Sequence, residues 1–203
     1  MNKFDIFRSA IMAGICIGIA GFGYLVNSTF GMFLFAFGLA AVVQYKLKLF
    51  TGTAGFVESK SDLLDLLIIL AGNVVGCLCV ALLSRCSNFE LQTAAEALLD
   101  KRLTNGPLNA SLLSIGCGFL MTTAVTFARK SKEFADWLPL LFAVPMFILC
   151  GFPHCIADSF YYLCCSPKKL LSEPMFPLLY AGIITGNFIG CNLYRLLIKV
   201  KSN

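Results

Sequence analysis

Cys150-Gly151-Phe152-Pro153-His154-Cys155-Ile156-Ala157-Asp158 is the stretch on which the reading of this chain turns. It lies inside an otherwise apolar segment running from about residue 137 to 165 and contains the protein's only histidine. A glycine and a proline sit beside that histidine. A carboxylate follows four residues later, one turn on if the chain is helical again by then. Lipid cannot satisfy the backbone groups that a helix break exposes, so a break survives in a span only where protein or a water-filled cavity covers it. Ionisable groups at such depth mark substrate, ion or proton paths by default. The stretch therefore predicts a broken membrane span built around a functional imidazole. The bland alternative is a structural histidine beside a kink.

Composition agrees with a membrane setting. Of 203 residues, 58% are hydrophobic and 13% charged, with a mean hydropathy of +0.81. A soluble domain carries roughly a quarter charged residues. Here the charges cluster between long apolar runs, the pattern of a polytopic membrane protein. The net charge of +5 does not point to nucleic acid, because Lys and Arg sit at span ends rather than in one patch. The ten cysteines do not form a disulfide framework, since Cys16, Cys77, Cys79, Cys117, Cys150 and Cys191 fall inside apolar runs and pack there as small hydrophobes. No second histidine is available for a metal site, and no cofactor is expected. The first apolar run is too long for a signal-peptide core and lacks a small-residue cleavage site.

Six spans are predicted, at about residues 8–26, 29–56, 63–83, 108–128, 137–165 and 177–200. In the second, Leu49-Phe50-Thr51-Gly52-Thr53-Ala54-Gly55 interrupts the apolar pattern, which predicts a helix, a break near Phe50-Thr51 and a short half-helix. Residues 91–103, between the third and fourth spans, are rich in helix formers and read as a helix outside the bilayer core. The third span contains Gly72-Asn73-Val74-Val75-Gly76-Cys77 and the sixth Gly186-Asn187-Phe188-Ile189-Gly190-Cys191. Each Gly-Asn-x-x-Gly-Cys follows a broken span. The chain thus divides into two three-span repeats, about 8–84 and 108–200, within one transmembrane transport domain over 1–203. Because three is odd, the halves are inverted in the membrane, and broken segments at matching positions point to a permeation site between them. With the N-terminus inside, the inner face carries Lys3, Arg8, Lys60, Arg129, Lys130, Lys132, Arg195, Lys199 and Lys201. The outer face carries Arg85, Lys101, Arg102, Lys168 and Lys169. Both termini are accordingly expected to be cytoplasmic.

At this point the chain resembles the formate/nitrite transporter family over nearly its whole length. Leu49-Phe50-Thr51-Gly52 is similar to the family's Leu-Phe-Thr-Ser stretch, and Gly151 to Asp158 is similar to its Gly-Phe-Glu-His-Ser-Ile-Ala-Asn signature. Both Gly-Asn-x-x-Gly elements fit its third and sixth spans. The resemblance implies an all-α membrane protein of six helices in two inverted repeats, aquaporin-like, with the second and fifth helices broken. It implies a homopentamer with one pore per protomer in the lipid bilayer of a bacterial cytoplasmic membrane, passing small monovalent anions or their weak acids. His154 would be the central pore histidine, Thr51 the hydroxyl at the second-span break, and Phe50 an apolar constriction residue beside Leu49 and Gly52. Lys101 or Arg102 would stand for the family's lysine ahead of the fourth span.

Three departures stand out. The signature's Glu becomes Pro153, its Asn becomes Asp158, and a fourth-span Asn becomes Gly118. The chain is also short for the family, with little N-terminal segment to gate a pore. A partnership between Asp158 and His154 is expected, making transport pH-dependent. Thr51 could instead cap a half-helix, Phe50 could simply fill core, and Lys101 could be a solvated loop charge. Asn73 and Asn187 could face the pore or hydrogen-bond between helices, and the second is favoured. The rival functions are a channel for a small neutral solute, a non-transporting membrane assembly protein, and an intramembrane enzyme using Cys155, His154 and Asp158.

Overall fold

The structure is a computed structural model that describes residues 2–130 and 133–198. Asn2 caps α1 (Lys3–Val26) by accepting the Asp5 N–H, and Asn27 ends it while capping α2 (Ser28–Leu34). α3 (Ala36–Gln44) follows after the single residue Phe35, and Lys46 beyond it takes a left-handed φ of 53°. The chain is irregular from there to Leu49 and re-enters helix as α4 (Phe50–Thr53), followed by a 3-10 turn, Ala54–Phe56. α5 (Lys60–Ser84) opens on a reciprocal Ser59–Asp62 capping box, and α6 (Leu91–Asn105) closes at Gly106, where α7 (Pro107–Arg129) starts with Pro at its first turn. A 3-10 turn, Phe134–Trp137, leads into α8 (Leu138–Leu149), and after a second break come α9 (Cys155–Cys164), α10 (Pro167–Ser172), α11 (Phe176–Cys191) and α12 (Leu193–Leu197).

Among the described residues, α1, α5 and α7 are long and apolar enough to cross a membrane. The second and fifth predicted spans are interrupted, as the sequence suggested. The first break lies over residues 45–49 rather than at Phe50-Thr51, because the helix stops at Lys46 and Thr51 already belongs to the restarted helix. The sixth predicted span is also not one rod. α11 ends at Cys191, where the Asn192 side chain donates to the carbonyls of Ala54 and Phe188. The end of that predicted span, beyond residue 198, lies outside the described residues.

Both breaks use one device. Lys46 (φ 53°) and Gly151 (φ 67°) occupy the left-handed position. The next residue's N–H then reaches back to the last helical turn, Leu47 to the Val42 carbonyl and Phe152 to the Phe147 carbonyl, both at 2.9 Å. This is the pattern of a Schellman cap, which satisfies carbonyls that a simple stop would orphan. The helix pairs beside the breaks also match. α1 packs along α5 and α7 along α11 so closely that a Cβ on Gly76 would lie 2.1 Å from the Ile11 carbonyl oxygen, and one on Gly190 would lie 2.0 Å from that of Ile115. Small residues that let backbones touch are how helices associate where water supplies no drive. The outward faces are apolar as well: Phe30, Phe33, Leu34 and Phe37 are exposed, while Leu39 and Val42 of the same segment are buried.

Candidate functional site at the meeting of two broken helices

The restarted helices are held by two buried asparagines. Asn73 on α5 accepts the Phe50 N–H (2.9 Å) and donates to the carbonyls of Lys48 (2.9 Å) and Ala10 (2.8 Å). Asn187 on α11 accepts the Cys155 N–H (2.8 Å) and donates to the carbonyls of Pro153 (2.9 Å) and Ser114 (2.8 Å). Each amide therefore bridges the start of a half-helix, the residue two before it, and a long helix alongside. The cysteine four residues on completes the likeness. Cys77 lies 3.4 Å from the Ile156 carbonyl and Cys191 lies 3.3 Å from the Thr51 carbonyl. Both N–H hydrogens of each amide are committed to backbone, so Asn73 and Asn187 position the site. They are not arranged to donate to a ligand.

Between the two restarts, the side chains of Thr51 and His154 meet. His154 is the N-cap of α9, and its Nδ1 accepts the Ala157 N–H at 3.1 Å. That bond makes Nδ1 the bare nitrogen of a neutral ring, so Nε2 carries the hydrogen. Nε2 lies 3.0 Å from Thr51 Oγ1 and donates to it. Thr51 then keeps its own O–H for another acceptor, and among the described residues no other hydrogen bond is made by that hydroxyl. Thr51 is not a cap: Leu49 holds the N-cap position of α4 without a side-chain bond, and the Asn73 amide does the capping. Leu49 and Phe50 are buried on the same restart.

A cavity of about 90 Å³ opens on one side of His154. Phe147, Phe152, Pro153 and Tyr161 line it, together with Tyr24 and the polar face of α6. The Phe147 ring lies 5.7 Å from the imidazole. His154 makes its bonds to Thr51 and Ala157, and Asp158 makes its bonds elsewhere, so the expected His154–Asp158 partnership does not form. Nor does the imidazole pair with Cys155, which removes the nucleophile–base contact that an enzyme here would need. Among the described residues, no group of three or more His, Cys, Asp or Glu could hold a metal ion.

The formate/nitrite transporter family model matches residues 1–200. The chain belongs to that family. A curated relative, the formate channel FocA of Haemophilus influenzae, is 24% identical over 92% of this chain and 78% of its own length. A solved pentameric formate channel with formate bound superposes with a TM-score of 0.78 at 22% identity, covering 98% of both chains. A solved FNT family ion channel gives 0.81 at 20% identity, over 95% of this chain and 88% of that one. These likenesses fix the fold, and the relatives named are channels rather than enzymes.

Of the two basic residues that the formate/nitrite transporter resemblance offered ahead of α7, Arg102 turns inward and Lys101 does not. Arg102 places Nη2 2.7 Å from Asp158 Oδ1, with the carboxylate fully buried and the guanidinium mostly so. The Tyr162 hydroxyl donates to the other carboxylate oxygen at 3.5 Å. Lys101 borders the same cavity but is exposed. Helical spacing contains the signal that separates them: Leu91, Ala95 and Leu99 are the buried stripe of α6, and Arg102 continues it while Lys101 does not. Gly118, where the family pattern has Asn, leaves no room for a side chain, since a Cβ would fall 2.2 Å from the Asn187 carbonyl oxygen. Gly52 is different. The nearest atoms to a Cβ there belong to Arg129, Leu49 and Val125, each at 3.8 Å. Arg129 itself stacks over Phe56 at 5.6 Å, a basic group on the α4 side that sequence reading had assigned only to membrane topology.

Proposed function

We propose that this chain is a membrane channel or transporter for small monovalent anions or their conjugate weak acids, of the formate, nitrite or hydrosulfide type. It crosses the membrane six times as two inverted halves and works as a homopentamer in a bacterial cytoplasmic membrane with both termini cytoplasmic. The observation that carries the reading is the 3.0 Å contact of Thr51 with His154 where the two interrupted helices restart. The twofold occurrence of the asparagine bridges and of the left-handed caps supports the inverted halves, and the family together with the solved pentameric formate channel with formate bound supports the substrate class and the pentamer.

An anion stripped of water among apolar residues is very costly. At this waist the Ala157 N–H polarises Nδ1, Nε2–H polarises Thr51 Oγ1, and the Thr51 O–H is left pointing its hydrogen at whatever arrives. Such a chain of aligned donors stabilises negative charge without itself ionising. The α9 macrodipole, positive at His154, acts in the same sense. The first-turn N–H groups of Cys155 and Ala157 are already bonded to Asn187 and His154, so the Thr51 hydroxyl, polarised by His154, carries the direct contact.

The test is flux in proteoliposomes for formate, nitrite, hydrosulfide and glycerol under an imposed pH gradient. Anion flux well above empty vesicles, cut by roughly tenfold or more in Thr51→Val, the loss expected for one donor that acts on charge, supports the proposal. Glycerol flux without anion flux would establish the neutral-solute reading instead, and no flux of any kind would favour an assembly protein.

A further inference from the structure

Asp158 puts on the protein itself the group that the proposed substrates carry. A carboxylate is formate's own functional group, and here one is tethered to α9, fully buried and 2.7 Å from a guanidinium inside the cavity that leads to His154. The seating is incomplete on the cation's side. Arg102 binds the carboxylate through Nη2, while its Nε is buried and has no hydrogen-bond partner. Fork-to-fork pairing would use two parallel N–H donors, so a single N–H contact holds the carboxylate to a guanidinium that borders the same cavity as His154. The family pattern that this chain resembles has amide Asn at this position and a Lys ahead of the fourth span. A neutral amide leaves its cation free to attract anions, whereas Asp158 occupies and neutralises it.

We propose that Asp158 is a specificity-determining residue: its carboxylate is a built-in competitor for the Arg102 guanidinium, and it sets how strongly an anion entering from the α6 side is held before it reaches His154. The proposal rests on the anion-channel reading above. A structural salt bridge that only ties α6 to α9 would affect stability. A competitor instead affects the concentration at which flux saturates, and it does so from one side of the membrane.

The experiment measures formate flux against formate concentration in planar bilayers, with addition to either side, for the full-length wild type and Asp158→Asn. The expected result is a half-saturating concentration lowered by roughly tenfold for one side of addition only, the lower end of what a freed charge does to local ion concentration. Arg102→Gln/Asp158→Asn should return that value to the wild type. An unchanged half-saturation in correctly assembled Asp158→Asn overturns the proposal, as does a gain that persists in the double variant or appears equally from both sides. Asp158→Ser, which also vacates the guanidinium, carries the same reading if the amide fails to assemble. Absence of formate flux in the wild type would instead remove the channel reading, before any variant is compared.

Discussion

His154 holds its proton in a defined place. The Ala157 N–H donates to Nδ1, so a neutral imidazole must carry hydrogen on Nε2, and the Thr51 oxygen stands ready to accept it. With a single histidine in the chain, nitrogen-labelled histidine gives one unambiguous NMR signal pair, and the Nε2-protonated tautomer is expected at neutral pH. The cationic ring would need a hydrogen on Nδ1, which sets donor against donor at Ala157. Protonation at this site therefore means breaking the α9 cap, and a proton-coupled cycle has to include that movement. The two roles of the ring are separable. His154→Asn keeps an N-cap acceptor, so its stability should match the wild type to within about 1 kcal/mol, while His154→Ala loses roughly 1 kcal/mol more. Both lose Nε2–H, so both should lose anion flux. A thermal melt beside a flux assay checks the pair, and an active Asn variant would show that capping alone was needed.

The elements divide into supports and surfaces, and substitution should sort them. Asn73→Ala or Asn187→Ala strands one carbonyl and one N–H at a helix restart and cuts a third bond to the long helix alongside. Three interhelical bonds at the ~0.6 kcal/mol each typical inside membrane proteins give roughly 2 kcal/mol per variant. Gly190→Ala should be worse than either, because its Cβ would lie 2.0 Å from a carbonyl oxygen that belongs to the neighbouring helix backbone. Gly52→Ala meets ordinary contacts at 3.8 Å, so a change within about ±0.5 kcal/mol is expected. Melting temperatures in detergent rank the set, and a Gly190→Ala protein as stable as Gly52→Ala would disprove the close packing of α7 and α11. Much of this frame was legible. Gly151-Phe152-Pro153 announced one break, and the shared Gly-Asn-x-x-Gly-Cys marked both supports. The first break was placed a turn late because Lys46 fills a left-handed position that sequence reading reserves for glycine. What Asp158 bonds to was not legible, since its partner lies 56 residues away on a helix that the local pattern sets outside the bilayer core, away from α9. The choice between Lys101 and Arg102 also stayed open, because the buried stripe Leu91, Ala95, Leu99 that Arg102 continues is visible only once α6 is known to pack.

At the scale of the molecule, α6 acts as a splint along α9. Arg102 bonds Asp158 near the α9 start, and Glu96, about two turns earlier on α6, accepts the Ser166 N–H at 3.0 Å just past the α9 end. Ser166 in turn caps α10, whose Lys169 bonds back to Asp100 at 2.7 Å. One short helix thus fixes both ends of the second half-helix and the polar connection after it. The Glu96 link lies outside the predicted spans. The Ser166 N–H holds the Glu96 carboxyl below its ordinary 4.5, with smaller help from the Ser166 and Gln92 side chains and Lys169. A carboxyl whose folded value is depressed adds stability above its unfolded value and loses it as pH falls through the folded one. The wild-type melting temperature in detergent should therefore drop as pH is lowered below about 4.5, with part of that drop belonging to Glu96. Glu96→Gln retains a carbonyl oxygen for the Ser166 N–H but cannot titrate, so its melting curve against pH should be flatter in that window and unchanged in slope near neutrality. An identical acid slope in the two proteins would mean that α6 is held to α9 by Arg102 and its apolar stripe alone.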